Sequence, residues 1–258
     1  KVLFGAEEFG MRLFVLAVSS LSVVFAYLVF SNLALLLGIS FGPWPFVLLT
    51  PILFLTPTFL VNADIINGQS ALLTLFWVCL FWSLRYLKTD KGLATGTFLM
   101  ALQVWVSFDW IVPIFGIFSY LILTSPRRKQ DPKGTYIRFF IFGFLGVAVP
   151  VFLRLLLNSW YLGGLHEAIT DLLTIGKVRN AAAIDQQHAT YSFVKHISKI
   201  FLSLPWLVGI PNLILCLIGF PLVRVRASKV PRLWGLLIAW GLGSVSWQFL
   251  MRQHGMVH

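Results

Sequence analysis

Apolar residues run through this chain in long unbroken blocks, without the polar stripe that a water-facing helix shows at its 3.6-residue period. Leu13–Phe30, Leu72–Trp82 and Phe139–Leu157 have no wet face, and Arg154 is the single charge in the three blocks. A helix apolar on every side belongs in a large core or in a bilayer, and a spanning helix needs roughly 20 such residues. Hydropathy predicts helices over 11–32, 44–63, 70–88, 136–157, 201–222 and 231–251. The stretch 92–125 is 34 residues long and is interrupted by Ser107-Phe108-Asp109-Trp110 and Pro113. At about 1.5 Å per residue each half is short for a full crossing. It is therefore read as a helical hairpin with Asp109 near the tip. The expected fold is all-α: a polytopic transmembrane helical bundle of about eight membrane segments, forming a single transmembrane domain over 1–258.

One sizeable piece falls outside these segments, the stretch 158–200. Leu165, Ile169, Leu172 and Leu173 share a helical face opposite Glu167, Thr170 and Asp171. Val194, Ile197 and Phe201 repeat the pattern beside Lys195 and Lys199. An amphipathic outer segment of this kind either lies in the headgroup plane or packs over the helix ends, and the pattern leaves both open.

Composition agrees with the membrane reading. Of 258 residues, 58% are hydrophobic and 11% charged, against about 45–50% and about 25% in soluble domains. The 24 Phe and 10 Trp exceed what a water-facing surface tolerates. Cys79 and Cys216 sit inside apolar runs and read as packing residues, not as a disulfide or metal pair. No charged segment precedes a cleavable apolar stretch, and the chain is read as a fragment or as lacking its ends.

The net charge of +11 would suggest nucleic acid in a soluble protein. Here the connections 84–91, 126–138 and 223–232 hold 12 of the 20 basic residues and only two acids, Asp90 and Asp131. Short basic loops stay cytoplasmic, and the hairpin puts all three on one side. The basic excess is thereby explained without a nucleic-acid partner. Glu7, Glu8, Asp64, Asp109, the 158–200 segment, Arg252, His254 and His258 then fall on the outer side.

No phosphate-cradling glycine loop, CxxC pair or HExxH occurs. His188 and His196 read as surface residues. His254 and His258 are spaced i, i+4, which can bind metal on a continued helix, and a phosphate or sugar hydroxyl suits them equally. Ionisable groups near the apolar core are costly and point to function, which singles out Asp64 and Asp109 as cavity-lining carboxylates. Both also have a plain reading as residues in wet headgroup space.

The order of short motifs resembles the GT-C superfamily of membrane glycosyltransferases. Gly5-Ala6-Glu7-Glu8-Phe9-Gly10-Met11-Arg12 resembles the family's outer Gly-x-Glu-Glu-x-x-x-Arg before a span. Asp64-Ile65-Ile66-Asn67-Gly68-Gln69-Ser70-Ala71-Leu72-Leu73 is similar to the Gly-Gln-x-Asn-x-Leu-Leu signature of its polyprenol-linked mannosyl- and glucosyltransferases, with Ala71 and Leu72 replacing the Asn-x step. A basic turn, a small-residue helix over Gly92–Leu102 and an outer hairpin follow in the family's order. The ending from Arg252 to His258 resembles its outer Arg/His cluster. The resemblance covers most of the chain, through motifs that are short and degenerate.

The resemblance implies transfer of a sugar from a polyprenyl-phosphate donor to an acceptor on the outer or lumenal face. A carboxylate acts as general base or positions a divalent cation at the phosphate, depending on the member. Asp64 and Asp109 are the candidate catalytic residues; Gln69, Arg12, Arg252, His254 and His258 are the candidate substrate-binding residues. The chain departs from the pattern twice: the family's first span, whose outer loop carries the usual catalytic carboxylate, is not found, and the hairpin lacks a common Lys. This fits either part of an active enzyme or a relative without catalysis. Membrane lipids, the lipid-linked sugar and other membrane subunits are the expected partners. The membrane is a bacterial or archaeal cytoplasmic membrane or the endoplasmic reticulum. A non-catalytic subunit of a larger complex is the first alternative. A lipid or solute transporter is the second, disfavoured because no inverted repeat with matching broken helices is seen.

Overall fold

The computed structural model describes residues 8–39, 69–106, 111–174, 198, 202 and 210–250. Among them every regular element is helical and no strand occurs. The helices are α1 (Glu8–Leu36), α2 (Gln69–Thr89), α3 (Leu93–Val106), α4 (Ile111–Leu123) and the single turn α5 (Arg127–Gln130), then α6 (Pro132–Gly143), α7 (Val149–Leu162), α8 (Ile210–Ala227) and α9 (Pro231–Leu250). A π-helical turn, Phe144–Ala148, joins α6 to α7 without a break. Two stretches among the described residues are long and apolar enough to cross a membrane: Leu13–Leu36, with 24 residues, and Pro132–Leu162, with 31. The predicted span 44–63 lies outside the described residues. The chain divides into two compact units, Lys1–Leu99 with Ser203–Leu237, and Met100–Leu202 with Ile238–His258.

In the first unit α1 packs along α2. Thr74 Oγ1 donates to the Val18 carbonyl at 2.7 Å and lies 2.7 Å from Ser22 Oγ. A hydroxyl has one proton, so Ser22 is the donor of the second bond. Further along both helices Phe25 meets Phe81 and Phe30 meets Trp77, with ring centroids 6.2 and 5.6 Å apart. The polar contacts fall early and the aromatic ones late on both helices, so α1 and α2 run in the same direction.

The end of α2 is shaped by one large side chain. Trp82 Nε1 donates to the Gly92 carbonyl at 2.7 Å, folding the ring over the start of α3. Gly96 lies directly beneath it: a Cβ there would sit 2.5 Å from Trp82 Cε2 and closer to Cζ2 and Cη2. The turn between the helices needs two left-handed residues, Asp90 (φ 49) and Gly92 (φ 86). Only glycine takes that conformation without strain, and Asp90 holds it while its carboxylate accepts from Arg232 Nη2 at 3.1 Å. Arg232 Nη1 also reaches the Leu87 carbonyl at 3.3 Å. The N-terminus of α9 is thereby bound to the C-terminus of α2. Two of the three basic connections, 84–91 and 223–232, share this end of the unit.

In the second unit the long helix begins where Asp131 caps it. Its Oδ1 accepts from Gly134 N at 2.8 Å, and Pro132 occupies the first helical position, where its missing N–H costs nothing. Hydropathy alone, which predicts 136–157, does not see this cap. Pro150 explains the π turn: proline cannot donate to the carbonyl one turn back, and the helix widens just before it, with Val149 N–H bonding Phe144 O. Gly146 in that turn receives the Met100 side chain of α3. Further along both helices, Arg154 of α7 donates to the Trp105 carbonyl at 3.1 Å. These contacts advance together, so the second half of α3 runs in the same direction as α6–α7. Phe115, early in α4, meets Phe139 of α6 (centroids 5.7 Å apart) and lies over Gly143. The turn at 124–131 joins the far ends, so α4 runs antiparallel to α6.

Gly163, with φ 90, stops α7 in a left-handed C-cap, and residues 165–174 form a new helix. Ala168 is the residue of this helix buried in the protein, while Leu165, Ile169 and Leu173 remain exposed, as do Trp160 and Tyr161 beside them. The apolar face of the predicted amphipathic segment is thus uncovered over its first turns. The rest of 158–200, except Ser198, lies outside the described residues.

Candidate functional site

Of the seven site residues expected from the sequence, Asp64, Asp109, Arg252, His254 and His258 lie outside the described residues. Arg12 and Gln69 are placed by backbone only. Arg12 is six residues before Val18 on α1, and Gln69 five before Thr74 on α2. Because Thr74 bonds Val18 and Ser22 and the helices are parallel, both backbones stand toward the same end of the α1–α2 pair.

The second unit shows polar groups that the motif-led reading passed over. Arg154 stands eight residues inside the C-terminal end of α7, about 12 Å down an apolar helix at 1.5 Å per residue. Its guanidinium reaches the Trp105 carbonyl, one residue from the end of α3 and two before the segment 107–110 that contains Asp109. A cation on a helix's terminal carbonyls is favoured by the helix dipole. The planar fork of five N–H donors also suits phosphate oxygens better than any other side chain. Its signal in the sequence was its solitude: it is the only charge in Phe139–Leu157.

Gln103, one turn before the end of α3, is fully buried, and neither its Nε2 nor its Oε1 has a hydrogen-bond partner. It was likewise legible as the single amide in Leu93–Val106, where the other polar side chains are Thr95 and Thr97. A buried amide without partners costs roughly 1–3 kcal/mol. Cys79 is buried and unpaired, as a packing residue should be.

Among the described residues no group of three His, Cys, Asp or Glu side chains could hold a metal ion. The carboxylates that the family resemblance would assign to a cation, Asp64 and Asp109, are not among them. In comparisons with known proteins, no protein family, no curated protein and no solved structure matches the chain.

Proposed function

We propose that the chain is a polytopic membrane protein of about eight segments, transferring a sugar from a polyprenyl-phosphate donor to an acceptor on the outer or lumenal face. The membrane part is supported by burial. Only 17% of the residues in the apolar window of Pro132–Leu162 and 28% of those in Leu13–Leu36 are buried. A core helix of a soluble protein would be covered on most sides. The hairpin reading of 92–125 is supported by helix direction, since α3 runs with α6–α7 and α4 runs against α6. The grouping of 84–91 with 223–232 supports a common basic side, held cytoplasmic by their positive charge.

The observation that carries the transferase reading is Arg154, bonded to the Trp105 carbonyl near the end of α3, beside the proposed hairpin tip. In the proposed reaction the acceptor oxygen attacks the anomeric carbon and the bond from that carbon to the phosphate oxygen breaks. The polyprenyl phosphate leaves with the bonding electrons. Arg154 offsets the charge developing on that phosphate, and Asp64 or Asp109 takes the acceptor proton.

The test is binding of dolichyl- or undecaprenyl-phosphate mannose and glucose to the protein in lipid nanodiscs, with undecaprenol as the control lacking phosphate. The sugar phosphates are expected to bind, and Arg154→Met to weaken them about 10- to 100-fold, the worth of a charge-assisted hydrogen bond. Equal binding of undecaprenol, or equal binding by Arg154→Met, would remove the basis for this function. A non-catalytic subunit would bind none of these lipids.

A further inference from the structure

The third basic connection, between α4 and α6, has a construction that its net charge does not convey. Arg127, Arg128, Lys129 and Lys133 are all exposed on the turn 126–133. Asp131 is the single acid among residues 124–143, and its carboxylate is already engaged. Oδ1 accepts from Gly134 N at 2.8 Å and Oδ2 from Arg138 Nη2 at 3.2 Å. Among the described residues no carboxylate pairs with the four exposed cations. The acid serves helix α6 and leaves the turn a concentrated positive field.

One of the four cations is fixed at the edge of an apolar surface. Arg128 donates to the Leu123 carbonyl at 3.2 Å and to Tyr136 Oη at 3.2 Å, with its guanidinium carbon 5.8 Å from the centre of the Tyr136 ring. Tyr136 is itself 43% exposed, and Ile137 and Phe140 continue outward from it at 57% and 70% exposure. A tyrosine between a cationic turn and bare apolar side chains has the layering of a membrane–water boundary, with the phenol ring at headgroup level. The cations then stand at the height of lipid phosphates.

We infer that the turn 126–133 with Tyr136 is a binding site for the headgroup of an anionic phospholipid in the leaflet on the basic side. Charge complementarity selects an anionic lipid over a zwitterionic one, and the adjoining apolar face selects a lipid over a free anion. The inference rests on the membrane reading of Pro132–Leu162 and is independent of the transferase reading.

The test places the purified protein in nanodiscs of phosphatidylcholine alone and of phosphatidylcholine mixed with phosphatidylglycerol. Retained lipid is counted by native mass spectrometry and stability is followed by thermal unfolding. Phosphatidylglycerol is expected to be retained in preference and to raise the melting temperature. In the triple variant Arg127→Gln/Lys129→Gln/Lys133→Gln, which keeps Arg128 and its contacts, retention is expected to fall roughly fivefold per residue neutralised, the effect of about 1 kcal/mol for each basic residue near an anionic surface. Arg127→Lys is expected to leave retention unchanged. Equal retention of the two lipids by the wild type, or undiminished retention by the triple variant, would overturn the site. So would equal stabilisation by inorganic phosphate in phosphatidylcholine, since that would make the turn a free-anion site.

Discussion

Gly96→Ala tests the turn between α2 and α3 at its tightest point. A methyl at position 96 would lie 2.5 Å from Trp82 Cε2 and nearer to two other atoms of the same ring. Non-bonded carbons prefer about 3.5–4.0 Å, so the indole must move by roughly an ångström. It cannot do so freely, because Nε1 is held by the Gly92 carbonyl at 2.7 Å and the ring packs 5.2 Å from Tyr86. Overpacking of this kind costs about 1–3 kcal/mol, and the threatened hydrogen bond adds about 0.5–1.5 kcal/mol. Against this, alanine in a helix gains about 1 kcal/mol over glycine. A net loss of about 2 kcal/mol is expected. Thermal unfolding in detergent, followed by a thiol-reactive dye that reports exposure of buried Cys79, would measure it. Phe at 82 lacks the fused ring whose Cζ2 and Cη2 take the overlap, so Gly96→Ala in a Trp82→Phe background should be neutral or stabilising. A Gly96→Ala protein that melts with the wild type, or one that loses as much in the Trp82→Phe background, would refute this account of the turn.

Three further outcomes follow from the packing. Thr74→Val keeps the shape but removes both bonds to α1, and should cost about 1 kcal/mol, within the range for hydrogen bonds between membrane helices. Ser22→Ala should add little on top of it, as a double-mutant cycle of thermal unfolding would show. Gln103→Met removes a buried amide without partners and should leave the melting temperature unchanged or raised; a loss above about 1 kcal/mol would mean that the amide is satisfied. Asp90→Ala places alanine in a left-handed conformation and removes the carboxylate that accepts from Arg232 Nη2, at an expected cost of about 2 kcal/mol, while Asp90→Asn, which tolerates that conformation and keeps an acceptor, should cost less than half as much. The two variants melting together would contradict the role given to Asp90.

Helix positions were largely legible because the apolar runs are long. The predicted 11–32, 70–88 and 231–251 correspond to Glu8–Leu36, Gln69–Thr89 and Pro231–Leu250. Ends were less legible, because they depend on single contacts that hydropathy ignores. Asp131 and Pro132 begin the long helix four residues before the predicted 136, and Gly163 ends it five residues after the predicted 157. The segment predicted at 201–222 is described as helix from Ile210 and continues to Ala227, through Arg224 and Arg226, whose charges favour a helix C-terminus. The π turn had one signal, Pro150. The parallel course of α1 and α2 is what a predicted span at 44–63 between them requires, while the contacts that show it, Thr74 with Val18 and Ser22, join residues more than fifty apart in the chain. The candidate site was read from outer carboxylates and histidines near helix ends. Arg154 and Gln103 lie instead inside apolar helices and are informative for that reason.

The central claim, that 92–125 enters and leaves the membrane on the same side, is tested most directly by substituted-cysteine labelling in sealed vesicles with a membrane-impermeant thiol reagent. Lys91 and Lys129 are both exposed and flank the stretch, so Lys91→Cys and Lys129→Cys should react from the same, cytoplasmic side, with Ser107→Cys reacting from the opposite one. Labelling of Lys91→Cys and Lys129→Cys from opposite sides would make 92–125 a single crossing, reverse the orientation of everything after it, and remove Arg154 from the outer face.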